Sequence, residues 1–448
     1  MINEAKKIEL AQWLLDPDKH QALPDNLIQL EQRLENAGLD IIYRNIELPL
    51  VEILGKMHEV GIKLDLEYLK KLDEEIEGEL SGSVKKIFKE AGGEFNINSP
   101  KQLSEILFGK LKINPAGVPK RKTGAYSTDA ETLNKLSKEH AIVDSILKYR
   151  ELYKLQSTYV RPLQELADKN GRVHTTFVQT AASTGRLSSH EPNLQNIPVV
   201  SEWGKRIRQG FIADKGKSFL ALDYSQIELR VLAAVSGDES MIDAFKKNWD
   251  IHKLTASKVY DVPLEKVTPE MRTVAKTMNF GVIYGMGPQA FSQLSGLPFL
   301  EAKRFIDEYF ADFKAVKIWQ EKTIIEARKT GFVENLNGRK RFLPGINHPN
   351  KRFSSEAERA AINMPIQGLA ADIIKLAMIR ADKLISSKKL GERVRMLLTI
   401  HDELIFEVDD KDIKEVESLI KKEMEEAYDL KSVSLKVDSA SGKNWAEL

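Results

Sequence analysis

The sequence predicts an α+β protein in which a helical arm precedes a small antiparallel sheet, and a large helical insertion divides that sheet. Apolar residues keep a helical spacing up to about residue 168, and β-rich runs then appear near Val173 and Phe219. Helical spacing returns before the last β-rich runs at 395–400 and 404–408. The length of 448 residues corresponds to roughly three domains.

The composition is that of a folded protein without cysteine chemistry. Hydrophobic residues make up 42% and charged residues 30% of the chain, which excludes a disordered or fibrous protein. The absence of cysteine excludes disulfides, thiol catalysis and cysteine-ligated metal sites. The first residues carry no apolar h-region, and glycine and proline break the longest uncharged run, Thr277–Leu300. We therefore expect no signal peptide, no membrane partner and a cytoplasmic location.

The arm is predicted from helical spacing that turn residues interrupt. Residues 1–45 form a short helical lead-in, with breaks at Asp16-Pro17 and Leu23-Pro24. The elements that follow, in order, are a helix at about Leu48–Lys89 ended by Gly92-Gly93, a helix starting at Asn98-Ser99-Pro100, a loop at Asn114–Ala125 and helical spacing over Asp129–Asp168.

The second half alternates between short strands and helices. Strands are predicted at Val173–Gln179 and Phe219–Leu222, and helices from Gln226 to about Phe313. The later elements, in order, are a hairpin at Gly331–Leu343 with Asn337-Gly338 as its two-residue turn, a long helix at about Ser355–Lys388 interrupted at Met364-Pro365, strands at Arg395–Ile400 and Leu404–Val408, and a last strand at Ser432–Asp438.

Charge is balanced overall but segregated along the chain. The formal net charge is +1, from 67 basic and 66 acidic residues. Lys110–Lys122 and Asn337–Arg352 each contain basic residues and no acidic one. Such runs can present a cationic surface to a polyanion. The alternative is that they are solvated loops.

Two acidic motifs lie at the ends of predicted strands. Phe219–Leu222 leads into Asp223, and the strands at 395–400 and 404–408 flank Asp402-Glu403. Packed side by side, these strand ends would bring carboxylates to one point, where their repulsion requires a bound cation. Mg²⁺ suits such a site because it takes one or two carboxylates and completes its shell with water and phosphate. Two such ions about 3.5–4 Å apart clamp an in-line displacement at phosphorus.

Each acidic motif also has a purely structural explanation. Ser225 and Glu228 have the spacing of a capping box for the next helix, and Asp223 would then only help to cap it. Asp402-Glu403 would then be the polar turn of an apolar hairpin. Together the motifs favour the metal interpretation, because both place an acid at the tip of a buried strand.

A third motif lies on one predicted helix. Arg272, Lys276, Phe280 and Tyr284 recur every four residues and therefore lie along one side of that helix. Cations at one end and rings at the other suit a nucleoside triphosphate, with charge for the phosphates and flat faces for the bases. The alternative is a half-buried helix whose Arg and Lys side chains extend to solvent.

Further motifs lead to a resemblance. They are Thr184-Gly185-Arg186-Leu187-Ser188-Ser189, Pro192-Asn193-Leu194-Gln195-Asn196-Ile197-Pro198 and Asn363-Met364-Pro365-Ile366-Gln367-Gly368. With Asp223–Arg230, Arg272–Gly285 and His401–Glu403, the chain from about Asn45 to Leu448 resembles the polymerase portion of bacterial family A DNA polymerases, the DNA polymerase I group. The resemblance implies the right-hand fold of helical thumb, antiparallel-sheet palm and helical fingers. The implied domains are a remnant of an exonuclease-like domain at 1–45, mainly thumb at 46–170, palm at 171–236, fingers at 237–360 and palm again at 361–448.

The resemblance implies the residues that bind metal and triphosphate. Asp223 and Asp402, with the carbonyl of Tyr224, would bind two Mg²⁺ ions, for which Mn²⁺ substitutes. Glu403 would lie close by in support. The residues implied for the triphosphate are Arg272, Lys276 and His252, with Gln226 nearby, and Lys276 joins the carboxylates as catalytic.

The remaining implied roles concern the sugar, the bases and the DNA. Glu228 would crowd the 2′ position of the sugar and reject ribonucleotides. Phe280 would pack on the incoming sugar and base, and Tyr284 would occupy the template-base position. The residues implied to contact the minor groove near the primer terminus are Arg186, Gln195, Asn196, Gln367 and His401. Those implied to grip duplex phosphates are Lys120, Arg121 and Lys122 in the thumb.

The implied function is template-directed DNA synthesis by two-metal-ion nucleotidyl transfer on a primer–template duplex with dNTPs. We expect a monomer without proofreading activity, because residues 1–45 are too short for a nuclease. The expected location is the cytoplasm, in association with the nucleoid. For a chain of viral origin it would be the cytoplasm of the host. Two alternatives stay open, a single-subunit RNA polymerase-like enzyme and a catalytically silent DNA-binding protein.

Overall fold

The chain folds into a helical arm, a four-stranded antiparallel sheet and a helical insertion between two strands of that sheet, which confirms the predicted α+β class. The structure is a computed structural model that describes residues 2–18, 26–137, 139–199 and 201–448.

The N-terminal lead-in is helical and has a small core of its own. It contains α1 (Glu4–Leu15), α2 (Leu27–Ala37), α3 (Asp40–Ile42) and a π-helical turn (Tyr43–Glu47). Leu10 and Trp13 are buried in this core. The predicted break at Asp16-Pro17 is confirmed, because α1 ends at Leu15. The predicted break at Leu23-Pro24 lies outside the described residues.

The arm contains a long helical hairpin. Its elements are α4 (Leu48–Val60), β1 (Ile62–Lys63), α5 (Leu66–Ala91), α6 (Pro100–Ser104), a π-helical segment (Glu105–Lys110), α7 (Ala130–Leu136), α8 (Ala141–Leu155), a second π-helical segment (Gln156–Val160) and α9 (Arg161–Leu166). α5 packs on α8 and buries Ile76 and Ile146.

The helical spacing predicted over Leu48–Lys89 is divided between α4 and α5, because the chain turns at Gly61. Gly61 has a φ of +61°, which L side chains rarely adopt, and a Cβ there would lie 2.7 Å from the His174 ring. After this turn β1 pairs with Arg172–Val173. The next helix, α5, begins where the Asp65 side chain accepts from a backbone N–H of its first turn.

The insertion follows the first long strand. The elements up to that strand are β2 (Arg172–Val173), β3 (Thr176–Val178), β4 (Ser188–His190), α10 (Glu202–Gln209) and β5 (Lys217–Tyr224). The insertion contains α11 (Ile227–Ser236), α12 (Glu239–Lys246), α13 (Ile251–Val259), α14 (Pro269–Ile283), α15 (Pro288–Ser295), α16 (Phe299–Asp312), α17 (Lys314–Thr330), β6 (Phe332–Glu334), β7 (Lys340–Phe342) and α18 (Lys351–Ser387).

Two predictions in this region need correction. The hairpin β6–β7 exists, but its register pairs Glu334 with Lys340, so five residues and not two connect the strands. The predicted interruption at Met364-Pro365 is absent, and α18 continues through Pro365. By length and composition α18 would also suffice to cross a membrane, and 83% of its apolar window is buried inside the protein.

The central sheet positions the candidate site. The last elements are β8 (Val394–Ile400), β9 (Glu403–Asp409), α19 (Ile413–Glu425) and β10 (Val437–Gly442). The strand order is β10-β5-β9-β8, and every pair is antiparallel. The last strand overlaps the predicted Ser432–Asp438 only at Val437 and Asp438 and continues to Gly442. β5 is almost entirely buried between its two neighbours, so the end of β5 brings Asp223 to the edge of the core.

Candidate active site

Three carboxylates lie side by side at one end of the sheet. Asp223, near the end of β5, pairs with Glu403 at the start of β9 and with Asp438 on β10. Paired residues of adjacent antiparallel strands point to the same face. Asp402 occupies the two-residue turn before β9, and its carbonyl accepts from the backbone N–H of Tyr224 at 3.0 Å. The structure thus brings Asp223 and Asp402 together, as the motifs predict.

These carboxylates are desolvated and repel one another, and the guanidinium groups of Arg186 and Arg208 offset this only in part. Burial raises the pKa of Asp402 to about 7, and the charges of Glu228 and Asp223 add to the effect. Burial and Asp223 raise the pKa of Glu403 to about 7. Asp223 is accessible to solvent, yet the surrounding protein desolvates its carboxyl and, with Asp438, raises its pKa to about 6. A divalent cation would relieve this repulsion.

The donor set fits a hard cation that brings its own oxygen ligands. Within the described ranges no three or more His, Asp or Glu side chains converge tightly enough to hold an ion alone. Mg²⁺ needs no such cage, since one or two carboxylates suffice when substrate phosphates supply the rest. Asp223, Asp402 and the Tyr224 carbonyl therefore suit a metal bound together with a phosphate substrate.

Helix α14 carries the predicted stripe and presents it away from the core. Arg272 and Phe280 are partly exposed and Lys276 is exposed, whereas Ala275 and Met278 are buried. Tyr284 follows the last residue of α14 as its C-cap. The stripe is therefore helical, as predicted, and its cations are accessible to a ligand.

His252 joins this stripe from the neighbouring helix α13. Its ring centroid lies 5.8 Å from that of Phe280, and its Nδ1 lies 3.0 Å from the amide nitrogen of Asn279. Burial lowers its pKa to about 4, and the charges of Arg272 and Lys276 contribute. The fold therefore groups three of the predicted triphosphate residues, although they come from two helices. Arg272 also donates to Asp250 at 2.6 Å.

The predicted capping box at Ser225–Glu228 is wrong. The N-cap of α11 is Gln226, which has a φ of 56° and makes no side-chain capping bond. The Glu228 carboxylate, 4% exposed, instead pairs with the Arg186 guanidinium and accepts from the Tyr284 hydroxyl at 3.3 Å. Burial raises the pKa of Glu228, and Arg186 opposes this rise. Glu228 thus connects α11 to α14 and to the segment before β4.

Most of the predicted DNA contacts surround Asp402. A small cavity beside Asp402 is lined by Arg186, Gln195 and His401. The Gln195 amide donates to the Thr399 carbonyl at 3.0 Å. Burial raises the pKa of the Tyr284 phenol, and the nearby Gln367 side chain opposes this rise, which places a fourth predicted residue in the same region. The Asn196 carbonyl accepts from the Tyr159 hydroxyl at 2.7 Å.

The two basic runs differ in their exposure to solvent and in their ion pairing. Lys120, Arg121 and Lys122 are exposed on a loop of the arm, outside the carboxylate cluster. In the second run, Arg339, 2% exposed, binds Glu47 and Asp372 inside the protein. The other two cations of that hairpin also turn to the lead-in: Lys340 donates to the carbonyl of Ala37 and Arg341 pairs with Asp18. The predicted cationic surface at 337–352 is therefore not formed by these three residues.

Sequence reasoning missed several residues of the site. Asp438 pairs with Asp223; it is the last residue of a predicted strand, but no sequence pattern assigns it to the site. Asp250 and Asn279 contact the predicted triphosphate residues, yet neither belongs to the stripe. The only sequence signal for Asn279 is a polar residue on the otherwise apolar face of α14.

The amino-acid sequence of this chain is similar to those of a known protein family. Residues 66–447 match the model of "DNA polymerase family A". "DNA polymerase I, thermostable" of Thermus thermophilus is 46% identical over 97% of this chain and 52% of its own length. DNA polymerase I of Bacillus subtilis is 46% identical over 95% of this chain and 48% of its own length. The chain thus spans about half the length of these curated relatives.

A solved structure matches the fold as a whole. The POL domain of Pol1 from M. smegmatis, in complex with DNA primer-template and dNTP, superposes with a TM-score of 0.92 at 36% identity. The match covers 98% of this chain and 81% of that chain.

Proposed function

This chain belongs to DNA polymerase family A, and we propose that it catalyses template-directed DNA synthesis. In this reaction the primer 3′-hydroxyl attacks the α-phosphorus of a dNTP, and pyrophosphate leaves. The observation that carries the proposal is the juxtaposition of Asp223 and Asp402 at one end of the sheet. The complex of the M. smegmatis domain with DNA primer-template and dNTP supports it.

We propose that Asp223, Asp402 and the Tyr224 carbonyl hold two Mg²⁺ ions, for which Mn²⁺ substitutes. The raised pKa values of both carboxyls support this, because desolvated and mutually repelling anions favour a counter-cation. When bound, such ions polarise the attacking hydroxyl and neutralise charge on the leaving phosphate. Glu403 would contribute further negative charge beside them.

The side chains of α13 and α14 would bind and orient the triphosphate. Arg272 and Lys276 supply positive charge, and His252 supplies a ring N–H. Lys276, exposed near the middle of the stripe, would also neutralise charge that develops on the leaving pyrophosphate. Phosphoryl transfer needs little covalent help, so this positioning and neutralisation account for most of the proposed rate enhancement.

Glu228 and the residues around it would select the substrate. The Glu228 carboxylate, held by Arg186 and Tyr284, would occupy the space that a 2′-hydroxyl needs, and Gln226 lies two residues before it. Phe280 would pack on the incoming sugar and base, and Tyr284 would fill the template-base position.

The DNA would lie across the sheet end and along the arm. The residues proposed to check the minor groove are Arg186, Gln195, Asn196, Gln367 and His401, and those proposed to hold duplex phosphates are Lys120, Arg121 and Lys122. Minor-groove acceptors are nearly the same for every base pair, so such contacts test pair shape without reading sequence.

We propose the domain bounds that the family resemblance implies. Residues 46–170 would form mainly the thumb, residues 171–236 and 361–448 the palm, and residues 237–360 the fingers.

The direct test is extension of a primed template with Mg²⁺ and four dNTPs. The protein should extend the primer as a monomer, and Asp223→Ala or Asp402→Ala should lower the rate by about 10³-fold or more. Asp410→Ala is the matched control, because Asp410 is an exposed carboxylate that bonds Ser218 at the other end of β5. Near-normal extension by either active-site variant, with DNA binding retained, would refute the metal assignment.

The same assay separates the alternatives. Parallel reactions with rNTPs would reveal an RNA polymerase-like enzyme, and the absence of any extension would leave a DNA-binding protein. Mg²⁺-dependent release of primer-terminal nucleotides by the pure protein would contradict the proposed lack of proofreading.

A further inference from the structure

We propose that Asn279 is a positioning residue that fixes the imidazole of His252 in the tautomer protonated on Nε2. His252 would then offer an uncharged N–H donor to the triphosphate of an incoming nucleotide. The part of this inference that concerns the triphosphate rests on the proposed function, whereas the tautomer does not.

The geometry sets the orientation of the Asn279 amide. Asn279 and Thr255 are fully buried, and the Thr255 hydroxyl lies 3.1 Å from Oδ1 of Asn279. In the structure Oδ1 of Asn279 accepts from this hydroxyl, and the amide nitrogen on the other side faces His252. The same hydroxyl lies 2.9 Å from the Ile251 carbonyl, so its single hydrogen is shared between two acceptors. An amide turned the other way would leave that hydrogen to Ile251 and place Oδ1 against a protonated Nδ1, and nitrogen NMR separates these two arrangements.

The orientation of the amide determines the tautomer. The amide nitrogen of Asn279 lies 3.0 Å from Nδ1 of His252. Since this nitrogen carries only donors, Nδ1 must accept, and the one proton of the neutral ring must reside on Nε2. Within the described part of the chain His252 makes no other side-chain hydrogen bond, which leaves Nε2 for a ligand.

The surroundings keep the ring neutral. A proton on Nδ1 would place two N–H groups against each other across this contact. Burial, together with Arg272 and Lys276, lowers the pKa of His252 to about 4, and only Asp250 among the charged groups opposes them. His252 is therefore neutral at pH 7, and its neighbours Arg272 and Lys276 carry the positive charge.

The tautomer matters because the ligand is an anion. An Nε2–H group donates to a phosphate oxygen, whereas an unprotonated Nε2 would present a lone pair to it. Asn279 would thus act on nucleotide binding through His252 without touching the nucleotide.

Nitrogen NMR of histidine-labelled protein tests the tautomer without any nucleotide. The chain contains eight histidines, and His252→Gln identifies the relevant signal by its loss. We expect Nε2 protonated and Nδ1 unprotonated, unchanged from pH 8 to pH 5.5. A wild-type signal with Nδ1 protonated would overturn the proposal, since it would mean the opposite orientation of the amide.

Two variants test the cause. In Asn279→Asp the carboxylate accepts from the ring, so the proton should move to Nδ1 and the imidazolium should appear at higher pH. Thr255→Val removes the hydroxyl that orients the amide and should give a mixture of tautomers. This second variant keeps the test available if a buried Asp prevents folding. Retention of the wild-type tautomer in a folded variant of either kind would refute the role of Asn279.

Nucleotide kinetics test the consequence. At a pH high enough that the ring of the variant is neutral and protonated on Nδ1, Asn279→Asp should raise the KM for dNTP by about tenfold, the loss of a hydrogen bond to a charged group. The control is Gln320→Ala. Gln320 on α17 donates a buried 3.0 Å hydrogen bond to the carbonyl of Val282, which lies on α14 with Asn279. The loss of this bond should change neither the tautomer of His252 nor the KM for dNTP. A shifted tautomer with an unchanged KM would refute the link to nucleotide. An absence of all primer extension by the wild type would refute the proposed function and leave the tautomer assignment standing.

Discussion

A buried cluster of four charges joins the N-terminal lead-in to the rest of the protein. Glu47 accepts from Lys375 at 2.7 Å and from Arg339, and Arg339 also binds Asp372. All four side chains are at most 2% exposed. The Gln179 amide donates to Glu47 at 2.7 Å. The cluster is neutral only as a whole, so removal of one charge leaves another without a partner in the core.

Glu47→Gln is therefore expected to destabilise the protein by about 3–5 kcal/mol, the range for breaking one side of a buried ion pair. Asp372 still balances Arg339 in the variant, but Lys375 loses its carboxylate partner. Burial and the adjacent Arg339 lower the pKa of Lys375 even in the wild type, against the pull of Glu47. Loss of a proton from Lys375 is thus the cheapest relief in the variant.

This relief gives the variant a pH dependence with a defined sign. Lys375 of the variant has its pKa lowered in the folded state, so the unfolded chain binds more protons and stability rises with pH. The deficit should accordingly shrink between pH 6 and pH 9. In the wild type, burial opposes but Lys375 and Arg339 prevail and lower the pKa of Glu47. Its stabilising contribution is present above the unfolded pKa and is lost as pH falls through the folded one.

Equilibrium unfolding in urea across this pH range is the assay, with hydrogen exchange in α1 and α18 as a local probe. The control is Asp382→Asn on α18, the helix that also carries Asp372 and Lys375. This variant removes a solvent-accessible ion pair with Lys56 at 2.8 Å and should lower the free energy of unfolding by less than about 1 kcal/mol. A Glu47→Gln protein within about 1 kcal/mol of wild type, or one whose deficit grows with pH, would show that the cluster does not carry the stability reasoned here.

Three further outcomes concern the candidate active site. Glu228→Ala should admit ribonucleotides, and an unchanged ratio of rNTP to dNTP incorporation would remove Glu228 as the sugar gate. Because burial raises the carboxyl pKa values of Asp223 to about 6 and of Asp402 to about 7, protons should compete with Mg²⁺ below pH 7. The apparent Mg²⁺ affinity in extension assays should therefore weaken as pH falls, and a flat profile from pH 8 to pH 6 would contradict this. Asp402→Asn should abolish extension yet stabilise the metal-free protein by about 1–3 kcal/mol at pH 8, because it removes a desolvated charge. Urea unfolding measures this gain in the free energy of unfolding. A variant less stable than the wild type would show that the charge of Asp402 does not destabilise the metal-free protein.

The local patterns that predicted the fold depend on short-range physics. Apolar, β-rich runs located β5, β8 and β9, and spacing by four placed Arg272 and Lys276 on one side of a helix. These periodicities reflect which side chains an isolated element must bury. The errors occurred where the decisive contact is distant in sequence. At the turn of Gly61 the His174 ring and the Val173 carbonyl leave no room for a side chain. The carboxylate of Glu228 binds Arg186 and Tyr284 and does not cap its own helix.

The amino-acid order alone predicted Asp223, Asp402, Arg272 and Lys276 for the proposed chemistry, since each sits at a strand end or on a helix face that neighbouring residues define. It missed Asp438 and Asp250, which contact them in the folded chain. Only the tertiary structure decided the surroundings of those groups. It determined which carboxyls are desolvated, which amide contacts the His252 ring, and which basic residues form ion pairs inside the protein. Desolvation and hydrogen-bond direction arise from atoms that come together across tens to hundreds of positions, and no local pattern records them.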